Sequence, residues 1–237
     1  MNASILLVSI EGNIGSGKST LMANLKTQFK DQPRVIFLKE PVDEWSLIKD
    51  EHGVTMLEKF YADQRTYSFS FQMMAYISRL KLLKDLVSNI HSNIEHPTHH
   101  HRYVIITERS LYTDKMVFAK MLYDTGKMEY IHHQIYLQWF NAFADEFPVS
   151  KIIYVKANPD VCHARIATRH RDGEEHIPLE YLQACDKYHN DMLDATNPEC
   201  VCQDQLVLDG NCNIYENDNV LHEWLDTIDR FVNTLHV

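Results

Sequence analysis

Gly12-Asn13-Ile14-Gly15-Ser16-Gly17-Lys18-Ser19 follows an apolar run, Ser4–Ile10, and precedes Leu21, Met22, Leu25 and Phe29 at helical spacing. The stretch fits G-x4-G-K-[ST], the phosphate-binding P-loop pattern, and its strand–turn–helix context is the one that pattern requires. Each residue type has a physical reason. Glycines permit backbone angles and close approaches that a Cβ would block. Successive amide N–H groups and the helix N-terminus then face an anion. Lys18 adds a point charge near the β- and γ-phosphates, and the Ser19 hydroxyl can ligate Mg²⁺. An unliganded Gly-rich turn is the plainer reading, and the Lys-Ser pair speaks against it. The loop implies a nucleoside triphosphate but does not say which reaction.

Working outward, short apolar runs alternate with helical patterns. Val35–Leu38, Tyr103–Thr107, Lys151–Lys156 and Leu206–Leu208 read as further strands. Met56–Val87 reads as one long helix or two consecutive ones. Leu111–Tyr123, Glu129–Phe147, Asp160–Arg171, Leu179–Ala195 and Val220–Leu235 read as helices. The order predicts an α/β fold with a five-stranded parallel sheet, flanked by helices on both faces. No repeat or linker divides the chain, so residues 1–237 read as a single domain.

Composition removes several classes. The 237 residues are 45% hydrophobic, 11% aromatic and 24% charged, which suits a soluble globular domain with a sizeable core. No apolar run approaches a membrane span. The first ten residues lack a basic region, so no signal peptide is expected and the cytoplasm is the expected location. The five cysteines have no framework spacing and read as reduced thiols. Cys200, Cys202 and Cys212 lack a fourth ligand at zinc spacing. His96, His99, His100 and His101 lie in a polar segment that reads as a solvated loop rather than a metal site. The formal charge of −10 argues against a nucleic-acid polymer as partner.

The next acids and arginines narrow the chemistry. Glu40 follows the second strand, and strand ends in open α/β sheets face the ligand crevice. A carboxylate there can take a proton from an attacking hydroxyl, or simply cap a helix. Glu108 and Arg109 follow the third strand, as metal and phosphate holders or as an exposed ion pair. Arg165 and Arg169 share a helical face, with Arg171 and Gly173 beyond them, as in a mobile lid over about 165–176. A solvated helix end is the plainer alternative. The Asn-Lys-x-Asp of GTPases and the apolar-run-Asp of motor ATPases are both absent.

Taken together, these stretches resemble the deoxyribonucleoside kinases, a family with a P-loop kinase fold and a short arginine-rich lid. The matching segments are Ile10–Thr20, Glu40-Pro41-Val42 with Trp45, Tyr67–Gln72, Glu108-Arg109-Ser110, Arg165–Arg171 and Ile177–Leu182. They run in family order along nearly the whole chain. The resemblance implies transfer of the γ-phosphate of ATP to the 5′-hydroxyl of a deoxyribonucleoside, in nucleotide salvage. Glu40 would be the general base, and Arg109 would hold the hydroxyl oxygen and the phosphates. Gly12, Asn13, Gly15, Ser16, Gly17, Lys18, Ser19 and Thr20, with Arg165, Arg169 and Arg171, would hold the donor. Ser19 and Glu108 would position Mg²⁺. Tyr61 and Glu174 would bind the 3′-hydroxyl, Gln72 the base edge, and Trp45, Phe71 and Phe118 would wall the base. Periodicity alone would place the four aromatics in the core.

Arg79 and Asp114 bear on the base. Family members for deoxycytidine and purine deoxynucleosides carry a charged pair at these positions, and thymidine-accepting members carry apolar or small residues. A buried carboxylate accepts from an exocyclic amine and meets a carbonyl oxygen poorly. Deoxycytidine, deoxyadenosine or deoxyguanosine is therefore expected over thymidine. A surface ion pair, a thymidine-accepting or broad-specificity kinase, a thymidylate-type monophosphate kinase and a non-catalytic nucleotide-binding subunit are the competing readings. Family members are generally homodimers through long helices such as Met56–Val87 and Glu129–Phe147, so a homodimer is expected.

Overall fold

Alternation along the strands decides which side each residue faces. In the first strand Leu7 packs into one apolar cluster and Val8 into another. The same switch occurs between Ile105 and Ile106 and between Ile152 and Ile153. A period of two puts successive side chains on opposite faces, so a strand apolar throughout must be covered on both. The computed structural model describes residues 4–92, 102–169, 174, 177–215 and 218–233.

Five strands form one parallel sheet in the order β2-β3-β1-β4-β5. They are β1 (Ser4–Glu11), β2 (Val35–Leu38), β3 (Arg102–Glu108), β4 (Lys151–Lys156) and β5 (Gln205–Asp209). The register pairs Ile10 with Glu108 and Glu11 with Tyr154. The end of β1 therefore sits level with the acidic end of β3. Helices α1 (Lys18–Gln28) and α10 (Asp218–Asn233) cover one face. The other is covered by α3 (Met56–Ala62), α4 (Gln64–Ser92), α5 (Leu111–Thr113) with the turns after it, and α7 (Tyr130–Phe143). The expected fold class is the observed one.

Several boundaries differ from the sequence reading for local reasons. A short helix, α2 (Val42–Trp45), follows Pro41 and has too few residues to show a period. The Met56–Val87 pattern is two helices. Asp63 leaves helical angles (φ −145°, ψ 86°), and its carboxylate accepts from the Thr66 N–H and hydroxyl to start α4. The expected helix Leu111–Tyr123 is interrupted: after α5 comes a π turn, Asp114–Ala119, before α6 (Lys120–Asp124). The wider turn carries Asp114 and Phe118, and both line the main cavity. Helix α7 stops at Phe143 and a 3₁₀ turn, Ala144–Glu146, replaces its expected end. Helices α8 (Pro159–Arg169) and α9 (Leu179–Leu193) complete the set. Arg171, Gly173 and the four histidines at 96, 99, 100 and 101 lie outside the described residues.

Candidate active site

A cavity of about 520 Å³ opens at the carboxyl ends of the strands. The half around Gly12–Ser19 is mostly backbone. Gly12, Gly15 and Gly17 have φ of 145°, 80° and 103°. A Cβ on Gly15 would lie 2.6 Å from the Cys162 carbonyl oxygen, so α8 can approach only a glycine. Gly17 has open space on that side and caps α1. Lys18 is 4% exposed, and its ammonium donates to the Asn13 carbonyl at 2.6 Å, closing the loop on itself. Burial, reinforced by Arg109 and opposed by Glu108 and Glu40, pushes its pKa down to about 7. Asn13 ties the loop to α9 by donating to the Leu182 carbonyl at 2.8 Å. The Ser19 hydroxyl donates to Glu108 at 2.5 Å. Two hard oxygen donors side by side next to a phosphate cradle fit Mg²⁺, which takes few protein ligands and keeps waters and phosphate oxygens.

The other half is built from side chains converging from four elements. Glu40, after β2, accepts from Arg109 Nη1 at 2.7 and 2.6 Å and from Arg79 Nη2 at 2.9 Å. Arg79, on α4, also donates to Asp114 at 3.0 Å and to the Glu108 carbonyl at 2.7 Å. Their side chains are 5% to 10% exposed for Arg79, Arg109 and Glu40 and 3% for Asp114. The surface ion pair and the exposed strand-end pair of the sequence reading are thus replaced by one buried network. Burial raises the Glu40 pKa, but Arg109, Arg79 and Lys18 outweigh it and hold the carboxyl at about 2. For Asp114 burial wins over Arg79 and the pKa moves up. Arg109 is the single non-glycine residue with positive φ among those described, at 65°. Its guanidinium lies 5.2 Å from the centre of the Phe118 ring.

Beyond the network the cavity is aromatic. Phe71 stacks on Phe60 at 4.4 Å and meets Trp45 edge-on at 5.8 Å. The Trp45 indole donates to Ser78 at 2.8 Å, which fixes its ring. Gln72 is 2% exposed, and its Oε1 has no hydrogen-bond partner within the protein. Tyr61 also lines the cavity, and burial with Glu174 nearby raises its pKa well above the usual tyrosine value. Glu174 accepts from Arg169. Of the described residues of the sequence-predicted site, all but Gly12, Asn13 and Arg79 line this one cavity.

Arg165 does something the lid reading did not anticipate. Its guanidinium donates to the Gly210 carbonyl at 2.7 Å and the Cys212 carbonyl at 3.1 Å, with a longer contact to Ser16 at 3.4 Å. It binds the loop after β5 to the P-loop. That loop, Cys212–Tyr215, and Trp224 also line the cavity and were missed from sequence, as was Tyr181, 6.1 Å from Tyr61. The strand-end rule applied to β5 would have found the loop. Cys212 follows β5 and Cys200 and Cys202 precede it, so the three cysteines stand at opposite ends of one strand.

The deoxynucleoside kinase family model matches residues 8–233. A fowlpox virus protein named as a probable deoxycytidine kinase is 29% identical over 233 residues, covering 97% of this chain and 89% of the relative. Deoxycytidine kinase 2 of Gallus gallus is 32% identical over 248 residues, covering 95% and 89%. The mitochondrial deoxyguanosine kinase of Xenopus laevis is 30% identical over 207 residues, covering 81% and 74%.

Proposed function

The chain belongs to the deoxynucleoside kinase family, a group of ATP-using transferases that phosphorylate nucleosides in salvage, and we propose that its acceptor is a deoxynucleoside whose base carries an exocyclic amine. The observation that carries this reading is the buried Arg79–Asp114 pair beside the unpartnered Gln72 Oε1. A carboxylate and an amide oxygen both accept, and an exocyclic amine donates twice. The thymine ring offers a carbonyl and a methyl group at the corresponding edge. Leaving one buried carbonyl against a carboxylate costs about 1–3 kcal/mol.

The residues divide the reaction between them. The P-loop amides and Lys18 hold the donor phosphates, and Arg165 and Arg169 close over that side. Ser19 and Glu108 would hold Mg²⁺, which would neutralise charge on the donor phosphates. Tyr61 and Glu174 take the 3′-hydroxyl, and Trp45, Phe71 and Phe118 enclose the base. Glu40 orients the 5′-hydroxyl. A carboxylate at about 2 is a weak base. A loose transition state asks for little base strength, because the hydroxyl loses its proton late.

The enzyme works as a homodimer in the cytoplasm on this reading. Ile131, Ile135 and Trp139 recur every four residues on α7 and are 61%, 37% and 50% exposed. Such a stripe suits a second copy of the chain. The odd, unbridged cysteines suit a reducing compartment.

The deciding experiment is steady-state phosphorylation of the four deoxynucleosides with ATP and Mg²⁺. An amino-bearing base should give the highest kcat/KM. Thymidine as best substrate overturns the base assignment. A sedimentation measurement in which the wild type and Trp139→Asp are both monomers overturns the dimer.

A further inference from the structure

Glu11 ends β1 and is completely buried. Neither phosphate nor nucleoside chemistry accounts for a carboxylate there. It accepts two short hydrogen bonds, one from the Ser9 hydroxyl and one from the Thr113 hydroxyl, each 2.6 Å. Thr113 is also fully buried and sits in the first turn of α5. Its hydroxyl lies 3.1 Å from the Ser110 hydroxyl and accepts the Ser110 N–H at 3.3 Å. The Thr113 N–H returns to Ser110 Oγ at 3.3 Å.

Proton directions follow from the donor inventory. The Thr113 hydroxyl donates to Glu11, so its proton points there. The oxygen of Thr113 is then free to accept, and the Ser110 hydroxyl must be the donor between them. One buried carboxylate thus sets the direction of the hydrogen bonds in the reciprocal cap that starts α5.

That cap stands between two active-site residues. Arg109, with its left-handed backbone, immediately precedes Ser110, and Asp114 immediately follows Thr113. Glu11 itself belongs to the P-loop strand. We infer that Glu11 is a positioning residue that locks the Ser110–Thr113 turn to β1 and so fixes Arg109 and Asp114 against the acceptor. The inference rests on the nucleoside kinase reading above. The P-loop needs no such help. Glu11 is held by ladder pairing with Tyr154, and Gly12 packs against the Val155 carbonyl.

The test uses full-length Glu11→Gln, Thr113→Val, Thr113→Ser and the double variant Glu11→Gln with Thr113→Val. Each is assayed with ATP and with whichever of the four deoxynucleosides the wild type turns over best. Misplacing Arg109 and Asp114 should lower kcat/KM for the nucleoside by up to about 100-fold in Glu11→Gln and Thr113→Val. The ATP KM should stay at the wild-type value. Thr113→Ser keeps the hydroxyl and should recover most of the activity. The double variant should be no worse than the poorer single one, because both cut the same link. Wild-type nucleoside kinetics in Glu11→Gln, equal impairment in Thr113→Ser and Thr113→Val, or additive losses in the double variant each overturn the inference. If Glu11→Gln does not fold, the Thr113 pair decides. A wild type that prefers thymidine overturns the base assignment and leaves this measurement intact.

Discussion

The two halves of the cavity are built by opposite means. The donor half comes from one contiguous stretch, Gly12–Ser19, and works mainly through backbone geometry. The acceptor half assembles Glu40, Arg79, Arg109 and Asp114 from separate elements and works through buried charge. A backbone cradle is indifferent to what receives the phosphate. A side-chain network buried at this depth is suited to select its ligand, because every unpaired charge in it is costly. Breaking one pair of this kind by removing a partner typically costs about 3–5 kcal/mol. On the proposed reading, chemistry shared across P-loop enzymes falls to the first half and specificity to the second.

The comparison breaks most sharply at Glu40, where both arginines meet. Glu40→Gln should lower kcat by about 10²–10⁴ while ATP binding persists. Unchanged turnover, read in a steady-state assay, would remove Glu40 from the reaction. Next comes Arg79→Met combined with Asp114→Ala. The thymidine-to-deoxycytidine ratio of kcat/KM should rise by about 100-fold, the worth of one mispaired buried polar group on each side. Absolute turnover should fall as well, because Arg79 also holds Glu40 at 2.9 Å. No change in the ratio would place base selection elsewhere.

On the donor side the expected effects are smaller. Gly15→Ala forces a Cβ to 2.6 Å from the Cys162 carbonyl at φ 80°. It should cost about 1–3 kcal/mol of stability, seen in chemical denaturation, and raise the ATP KM. A variant as stable as the wild type would mean that α8 can move away. The smallest effect concerns Lys18. Its pKa of about 7 lies below the unfolded value, so above pH 7 the free site holds a largely neutral amine. A bound triphosphate favours the ammonium, and donor binding at pH 8 should therefore take up a proton. The ATP dissociation constant should rise by at most about tenfold per pH unit above 7. The unfolded chain binds this proton more tightly than the folded one, so the same lysine makes stability rise with pH between about 7 and 10.5. Calorimetry in buffers of different ionisation enthalpy measures the proton directly, and zero uptake would contradict the depressed value.

Legibility in the sequence followed the same division. The P-loop, the five strands and the strand-end acids Glu40 and Glu108 were readable because they are local patterns in a fixed order. Arg79 and Asp114 were readable only through family likeness, since 35 positions separate them and α4 gives no sign of facing the site. Arg165 is legible as a lid arginine, but its three carbonyl contacts, which tie the loop after β5 to the P-loop, are not. The Cys212–Tyr215 loop has no periodic pattern and passed unnoticed. Glu11 gives no sign in the sequence of what it meets, because Thr113 stands 102 positions away.

The sequence by itself determined that a parallel sheet presents a triphosphate cradle at the end of its first strand. Strand period, glycine freedom and helix spacing are all properties of neighbours along the chain. Only the tertiary structure decided that Arg79 is shared between Glu40 and Asp114 and that Glu11 reaches Thr113. Those pairings depend on strand order and on the π turn after Thr113, which bring together charges and hydroxyls 35 to 102 positions apart.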